Sequence, residues 1–546
     1  MAVRRAIGIV LASALLLGSL AGCTRPASQG AETKPGQGAG STTEAGQKAT
    51  GKTIVVGLQA EPTNLDPAQI SDYNSSRAAD GMFDRLVRFK DGSTELEPGL
   101  AESWDISQDG LVYTFHLRKG VKFHDGTEFN ADAVKFSIER QIDPNHPYHN
   151  TGEFAYADFT FGKVKEVRIK DPYTVEIELK EPYAPFLSNL AIHAASIVSP
   201  EAVKKYGKDF TKHPVGTGPF RFVRWTPGVE VVLEKNPEYW KGAPKIDQVI
   251  YRPVIEDQAR LTEFEAGQLD FIVGIPPEDL ARLKQNPQYE VQEQPGMHVW
   301  YVVLNATKPP FDNPKVRQAV NYAVNRKAIV EQLLRSTGVL ATGPLPPVVW
   351  GYTKDVPQYP YDPEKAKQLL AEAGYPNGFS AEFWVPESGS GMQQPREMAT
   401  AIQADLQAVG IQTRIQTFEW GTYLDKVMGD KSSLPEMFEM SWIGDNGDPD
   451  NFLHYLLASD QAPPNGFNLG YYSNPKADQL LKQAQRLRTQ AERQPLYEEA
   501  LKLLVADAPW IWVDHETQIV AYKKSIKGFQ LHPTGVFRFE TVDIQP

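Results

Sequence analysis

A strand–helix–strand pattern between residues 383 and 418 restricts the fold more than any other part of the chain. Residues 383–385 are apolar and strand-like, and residues 411–418 read as a second strand. Between them, residues 395–409 have helical periodicity and end at Gly410. Two strands joined through a helix in this way form a parallel crossover. The sequence therefore predicts an α/β fold.

The rest of the chain combines hairpins with helices. Hairpin-spaced strands are predicted in the first half, at residues 164–170 with 173–179 and at residues 220–225 with 229–233. Helices are predicted in the second half, at residues 314–334 with Asn313 as N-cap, 362–374, 476–488 and 491–506. A short strand is expected at residues 510–513. The body is therefore a mixed α/β structure.

The amino terminus has the features of a secretory signal. Arg4 and Arg5 precede apolar residues 6–17, and the segment ends in Leu-Ala-Gly-Cys at Cys23. This ending resembles the lipobox of bacterial lipoproteins, which implies that Cys23 is lipidated. The alternative is an ordinary signal peptide with an incidental cysteine. Cys23 is the only cysteine of the chain, so no disulfide is expected.

Residues 23–51 are predicted to be a disordered tether, because their Gly, Ser, Thr, Gln, Ala and Pro content cannot form a core. The remainder has no second apolar run long enough to span a bilayer. The formal net charge is −12, and without residues 1–22, which hold two arginines and no acids, it is −12 − 2 = −14. An acidic surface argues against a nucleic-acid partner.

An acidic segment follows the apolar residues 437–443. It contains three acids and three turn-forming residues: Asp445, Asp448 and Asp450, and Gly444, Gly447 and Pro449. A carboxylate held beside Trp442 in such a turn would lie partly out of water and attract an ammonium strongly. The segment also follows a strand, where α/β folds place ligand crevices. The alternatives are an exposed acidic turn and a calcium site, although the spacing does not match an EF-hand.

Sequence motifs of the common enzyme classes are missing from the chain. There is no HExxH, Walker A, GxSxG or complete GxGxxG motif. His146 and His149 are three residues apart, but Pro147 lies between them and a solvated loop is the better interpretation. A glycosidase would need two carboxylates that no sequence rule selects among 68 acids. A secreted hydrolase stays open as the alternative from a different class of function.

Five stretches in order resemble the family 5 extracellular solute-binding proteins, the peptide-binding receptors of ABC importers. They are LAESW at residues 100–104, YTFHLRKGVKFHDG at 113–126, VGTGPF at 215–220, NPKVRQA at 313–319 and WIGDNGDPDNF at 442–452. In that family the first acid of the last stretch pairs with the α-ammonium of a bound peptide, and here this acid is Asp445. The resemblance implies peptide backbone contacts at residues 441–443 and 71–73. The implied binding residues are Ser71, Tyr73, Ser441, Trp442, Ile443, Gly444 and Asp445.

The resemblance also implies a two-lobed fold of the type II (cluster C) periplasmic-binding-protein kind. Lobe I would comprise residues 52–85, 208–292 and 513–546, with an inserted domain II at 86–207 and lobe III at 293–512. Dipeptide-specific relatives hold the ligand carboxylate with an arginine shortly before the helix at residue 395. This chain has no arginine there, and the nearest, Arg396, falls at the helix start. Strict dipeptide specificity is therefore not expected.

We therefore expect a non-enzymatic receptor, anchored through Cys23 on the extracytoplasmic face of the cell membrane, that delivers peptides to an ABC permease. It is expected to be a monomer without cofactor or metal. The alternative ligands within the family are nickel chelates, glutathione and oligosaccharides. Within the acidic segment, Asp450 is expected on the solvent side of the turn and Asp448 is expected to brace the loop.

Overall fold

The computed structural model describes residues 51–389 and 391–545. The predicted signal peptide and Cys23 lie outside these residues, as does nearly all of the predicted tether. Within the described residues no helix is both long enough and apolar enough to cross a membrane.

The strands of these residues are β1 (Thr53–Leu58), β2 (Val87–Phe89), β3 (Leu96–Pro98), β4 (Ala101–Ile106), β5 (Val112–Leu117), β6 (Val164–Asp171), β7 (Thr174–Leu179), β8 (Phe220–Thr226), β9 (Glu230–Lys235), β10 (Gln248–Pro253), β11 (Phe271–Val273), β12 (Tyr289–Pro295), β13 (His298–Leu304), β14 (Gly338–Leu340), β15 (Ser380–Pro386), β16 (Gln412–Phe418), β17 (Met437–Ile443), β18 (Trp510–Lys523), β19 (Ile526–Lys527) and β20 (Asp543–Ile544).

The α-helices are α1 (Tyr73–Ala79), α2 (Ala131–Ile142), α3 (Ala157–Phe161), α4 (Phe186–Asn189), α5 (Pro200–Tyr206), α6 (Asp257–Glu265), α7 (Leu280–Gln285), α8 (Pro314–Ala323), α9 (Arg326–Ala328), α10 (Pro363–Glu372), α11 (Pro395–Ala408), α12 (Trp420–Val427), α13 (Asp450–Leu457), α14 (Pro475–Arg486) and α15 (Gln490–Asp507).

A twelve-stranded mixed sheet forms the centre of the fold. Its main order is β16-β15-β17-β13-β18-β11-β1-β10-β9-β8, and β12 and β14 also pair with β18. The central strand β18 is fourteen residues long. Its first part pairs with β13 and its last part, from Thr517 onward, pairs with β12. Strands β12 and β13 are separated only by Gly296 and Met297. Strand β18 and the segment formed by β12 and β13 therefore run side by side and connect the two halves of the sheet.

A separate antiparallel sheet of four strands, in the order β4-β5-β7-β6, lies within residues 101–179. Helix α2 packs on it, and the buried apolar side chains around it all fall between Leu86 and Ile197. This part of the chain therefore has a hydrophobic core of its own, which is the usual mark of a structural domain.

The predicted crossover and hairpins are confirmed. Strands β15 and β16 pair in parallel on either side of α11, while β6 pairs with β7 and β8 with β9 in antiparallel fashion. The Asn313 side chain accepts a hydrogen bond from the Lys315 amide and Pro314 starts α8, as predicted. The strand predicted at residues 510–513 is only the beginning of β18.

The prediction of a single helix over residues 314–334 is wrong. Helix α8 ends at Ala323, and Val324 is extended with φ −90° and ψ 124°. Asn325 then starts a new helix, because its side chain caps the Ala328 amide and its own amide donates to Asp405. The break carries Arg326 into the interior, where Nη1 donates to the carbonyl of Trp512 at 3.0 Å.

Candidate functional site

Strand β17 delivers the acidic segment to a cavity. The strand pairs along its length with β13, so that Ser441 faces Trp300 and Ile443 faces His298. Its ladder with β15 covers only Met437 and Phe438, and β17 continues beyond it toward the cavity. A sharp turn follows, and α13 begins at Asp450.

Asn451, which is fully buried, holds the turn in place. Its side-chain oxygen accepts hydrogen bonds from Trp442 Nε1 at 2.9 Å and from the Asp445 amide at 3.0 Å. Its Nδ2 donates to Asp445 Oδ2 at 3.1 Å. One asparagine therefore fixes both the indole and the carboxylate that the sequence singled out.

Gly444 lets the turn pass close to α13. Its amide donates to the carbonyl of Met297 at 2.6 Å. A Cβ atom at this position would lie 2.7 Å from ring atoms of Phe452, so any larger residue would push the loop away from the helix. Glycine is therefore needed here for a packing reason.

Asp445 is only partly exposed, and its neighbours are neutral. Oδ2 accepts from Asn451 and, at 3.4 Å, from the hydroxyl of Tyr156. No lysine or arginine of the described chain lies within 4.0 Å of this carboxylate. Burial raises the pKa of Asp445 to about 7, and the two hydrogen bonds only partly oppose that rise. A cation entering the cavity would restore the ionised form.

Asp448 has a structural role in the loop. Both of its oxygens accept from the guanidinium of Arg493, each at 2.7 Å, and both residues are buried. The prediction that Asp448 braces the loop agrees with this bidentate pair.

The prediction that Asp450 faces solvent is wrong. Asp450 is fully buried and accepts hydrogen bonds from Tyr183 at 3.0 Å and from Gln485 at 3.0 and 3.2 Å. It opens α13, in which every residue is buried, so its carboxylate has no route to water. The acidic segment is therefore not an exposed acidic turn.

The cavity beside Asp445 encloses about 870 Å³, including space continuous with solvent. Its lining includes six of the predicted residues, namely Ser71, Tyr73, Ser441, Trp442, Ile443 and Asp445. The Tyr73 hydroxyl donates to the carbonyl of Thr534 at 2.6 Å, which ties α1 to the carboxy-terminal segment. The structure thus brings together two chain regions that are more than 360 residues apart in the printed sequence.

Aromatic residues that sequence reasoning missed complete the wall. Tyr156 lies nearly parallel to Trp442, with ring centroids 6.1 Å apart, and packs edge to face with His193, with ring centroids 4.7 Å apart. Phe467 packs on Trp442 at 5.2 Å. Tyr156 and His193 come from residues 86–207, and no spacing in that region distinguishes them from ordinary core aromatics.

Arg396 is not brought to this cavity. It lines a second cavity with Glu256, to which it is paired at 3.6 Å, and its side chain is 48% exposed. In the segment before α11, a Cβ atom at Gly389 would lie 2.8 Å from the Trp420 ring. A larger residue at Gly389 would therefore have to displace the Trp420 ring.

His146 and His149 do not form a metal site with other residues of the described chain, in which no group of three or more His, Cys, Asp and Glu has metal-binding geometry. His149 Nδ1 lies 3.0 Å from the carbonyl of Arg140. The pair therefore belongs to the packing of α2 and its following loop.

Three comparisons identify relatives of this chain. Residues 95–464 match the model described as "Bacterial extracellular solute-binding proteins, family 5 Middle". The chain is 40% identical to heme-binding protein A of Haemophilus influenzae, covering 98% of each protein, and 37% identical to the dipeptide-binding protein of Escherichia coli, covering 90% of this chain and 95% of that protein. The structure of the ABC transporter-associated periplasmic binding protein DppA from Helicobacter pylori with the peptide STSA matches with a TM-score of 0.85 and 35% identity, covering 91% of this chain and 98% of that one.

The likeness to DppA over nearly the whole described body confirms the predicted α/β fold of the periplasmic-binding-protein kind. Members of the matching family are extracytoplasmic ligand-binding receptors. The family model matches about two thirds of the chain, and the two relatives align with the chain along almost their full lengths. The chain belongs to family 5 of the bacterial extracellular solute-binding proteins.

Proposed function

We propose that this protein is a non-enzymatic receptor that binds short peptides with a free amino terminus and delivers them to an ABC permease. The observation that carries the proposal is the carboxylate of Asp445, which is partly buried at a cavity wall and has no cationic partner among the described residues. A peptide α-ammonium would supply that partner. The relative from Helicobacter pylori, which is described as transporter-associated and holds the peptide STSA, supports the same ligand class.

The backbone of an extended peptide would lie along β17, from Ser441 to Ile443, and along residues 71–73. Backbone hydrogen bonds of this kind satisfy the amides of a peptide without reading its side chains. The aromatic wall formed by Tyr156, Trp442 and Phe467 adjoins Asp445, so it would receive the first side chain of the ligand. We therefore expect broad acceptance of sequence with some preference for an apolar first residue.

A rival ligand is suggested by the heme-binding relative. Heme carries carboxylates and no ammonium, so it would leave Asp445 without a partner. Glutathione, a third ligand class, carries an α-ammonium and meets the same requirement as a peptide. The site therefore favours amine-bearing ligands over heme.

The proposed architecture places the cavity between two lobes. Lobe I comprises residues 52–85, 208–292 and 513–546, domain II residues 86–207, and lobe III residues 293–512. The cavity wall takes Tyr73 from the first, Tyr156 from the second and Asp445 from the third of these parts. Closure of the lobes over a peptide would exclude water from the Asp445 pair and strengthen it.

Blocking the amino terminus of the ligand tests the proposed mode of binding. A ligand that binds only the folded protein stabilises it, by about 2.7 kcal/mol at a hundred times its dissociation constant. We expect Ser-Thr-Ser-Ala to raise the melting temperature and its N-acetyl form to have little effect. Differential scanning fluorimetry with both peptides, glutathione and heme measures this. Equal shifts from the free and the acetylated peptide would contradict an amine-anchored site.

The affinity is expected to depend on pH through Asp445. Because its pKa in the empty cavity is about 7, a peptide that binds below pH 7 must displace a proton from the carboxylate. We expect the affinity to fall as the pH is lowered from 7 to 5, approaching about tenfold per unit. Calorimetry at pH 5, 6, 7 and 8 in buffers of different ionisation enthalpy would count the protons released. An affinity that is constant across this range would contradict the assignment.

The raised pKa of Asp445 also makes the stability of the empty protein depend on pH, but in the opposite direction to the affinity. A carboxyl whose pKa is higher in the folded than in the unfolded chain binds protons preferentially in the folded state. Its contribution to the free energy of unfolding is therefore present below pH about 4 and is lost as the pH rises to about 7. The ionised Asp445 disfavours the empty cavity, and a bound ammonium would relieve this.

We further propose that Cys23 carries the lipid anchor. This proposal rests on the Leu-Ala-Gly-Cys ending and on the predicted tether that follows it. Cys23→Ser is expected to abolish lipidation and to leave the protein unprocessed or released to the medium. Membrane fractionation and gel migration of the full-length protein measure this. Unchanged fractionation and migration would show that the anchor lies elsewhere.

A further inference from the structure

Another part of the cavity wall carries positive charge. Arg85 and Arg538 line the same cavity as Asp445, and among its described lining residues they alone are permanently cationic. His193 also lines the cavity, but burial lowers its pKa to about 4, so it is neutral near pH 7. Neither guanidinium lies within 4.0 Å of Asp445. The cavity therefore holds opposite charges apart.

Arg85 is already committed to the protein. Its Nε donates to the carbonyl of Ile192 at 2.9 Å, and its Nη2 pairs with Asp80. Both side chains of this ion pair are less than a tenth exposed. Burial alone would raise the pKa of Asp80, but the nearby guanidiniums of Arg85 and Arg538 outweigh it and lower that pKa. Asp80 therefore stays ionised between two arginines.

Arg538 is only partly committed. Its Nη1 donates to the carbonyl of Phe89 at 2.8 Å and to Asp91 at 3.2 Å. Nε and Nη2 have no acceptor among the residues that the structure describes, although the side chain is only 12% exposed. Asp91 is 53% exposed and also contacts Arg88 at 3.4 Å, so it compensates Arg538 weakly. Arg538 therefore keeps two unused donors, and its ion-pair partner among the described residues, Asp91, is half exposed.

We infer that Arg538 binds a carboxylate of the ligand, while Arg85 holds Asp80 in place beside it. The inference rests on the proposed function and extends it, since Asp445 would bind one end of a zwitterion and Arg538 a negative group farther along. A guanidinium with two unused donors suits a carboxylate, which accepts two parallel hydrogen bonds. It also supplies a cation to the cavity wall, which the segment before α11, having no arginine, does not.

The carboxylate has two possible sources, the carboxy terminus of a peptide and an acidic side chain. Three probes distinguish them: Ser-Thr-Ser-Ala, its C-terminal amide, and the amide of Ser-Thr-Glu-Ala. If the terminus is bound, only the first probe binds tightly. If any carboxylate along the ligand suffices, the third regains the affinity that the second lacks. Either pattern supports the inference, provided that it depends on Arg538.

Calorimetry with these probes on the full chain, with Arg538→Gln as the test variant, decides the matter. In the original protein we expect the free acid to bind about thirtyfold more tightly than the plain amide, as for removal of one partner of a desolvated charge pair. In Arg538→Gln the carboxylate-bearing probes should bind no more tightly than the plain amide. A merely structural role of Arg538 would weaken all probes alike and leave their ratios unchanged.

Arg414→Gln is the matched control, because Arg414 is 71% exposed and lies outside the cavity lining. It should keep the original ratios. Peptide binding with a ratio near one in the original protein, or a ratio unaffected by Arg538→Gln, would overturn this inference alone. No binding of any amine-bearing probe would overturn the proposed function, and this inference with it.

Discussion

Asp445→Asn is expected to weaken peptide binding by about thirtyfold or more. In the closed cavity the carboxylate and the ligand ammonium would both be out of water, and removal of one partner of such a pair typically costs about 2–5 kcal/mol. The asparagine keeps an oxygen for the hydrogen bonds from Asn451 and Tyr156 but carries no charge. The loss should therefore come from the missing ion pair, with the geometry of the turn retained.

Calorimetry with Ser-Thr-Ser-Ala on the variant measures this loss, and far-ultraviolet circular dichroism checks the fold. Asp355→Asn is the control, since Asp355 is 83% exposed, pairs with Lys502 and lies outside the cavity lining. It should bind like the original. Above pH 7 the empty Asp445→Asn protein should be at least as stable as the original, because it buries no ionised carboxylate. An unchanged affinity would remove Asp445 from the binding site.

Arg493→Met is expected to destabilise the folded protein by about 3–5 kcal/mol, since it leaves the carboxylate of Asp448 buried without its counter-ion. Arg493 also donates to Tyr497 at 2.8 Å and to the carbonyl of Ala484 at 3.1 Å. Burial alone would lower the pKa of Arg493, but Asp448 outweighs it and raises that pKa. The guanidinium is therefore charged near neutral pH.

Urea unfolding followed by circular dichroism measures the second effect. Arg486→Met provides the comparison, because Arg486 is 61% exposed and its ion pair with Glu181 is in contact with water. Exposed pairs contribute at most about 1 kcal/mol, so this variant should unfold close to the original midpoint. Equal midpoints for the two variants would mean that the Asp448–Arg493 pair does not hold the loop together.

The parts of the fold that the sequence predicts correctly depend on local patterns. The crossover around α11 and the two hairpins depend on turn residues and on periodicity within a few turns of chain, and both are visible in the printed residues. The break after Ala323 is different. The new helix start at Asn325 includes a hydrogen bond from its amide to Asp405, 80 residues away, and no local pattern reports that bond.

The candidate site shows the same division. The turn at Asp445 was identifiable because glycines, proline and acids occur together, and a family resemblance supported it. The burial of Asp450 was not identifiable, since it depends on Tyr183 and Gln485, which approach from 267 and 35 residues away. The positions of Tyr156 and Arg538 in the cavity wall likewise depend on contacts between segments that are far apart in sequence. A charge count along the chain cannot say which acids a distant segment will cover.

Two tyrosines from residues 86–207 contact the acidic segment, so the site is built from parts of the chain that are far apart in sequence. Tyr156 touches Asp445 from 289 residues away and Tyr183 touches Asp450 from 267 residues away. The proposed anchor for the ligand amine and the surface beside it are therefore encoded in separate stretches of the gene. We therefore expect substitutions around Tyr156 to change which first residue is accepted while the Trp442–Asp445 segment stays the same. Two receptors with identical acidic segments would then differ in the ligands that they accept.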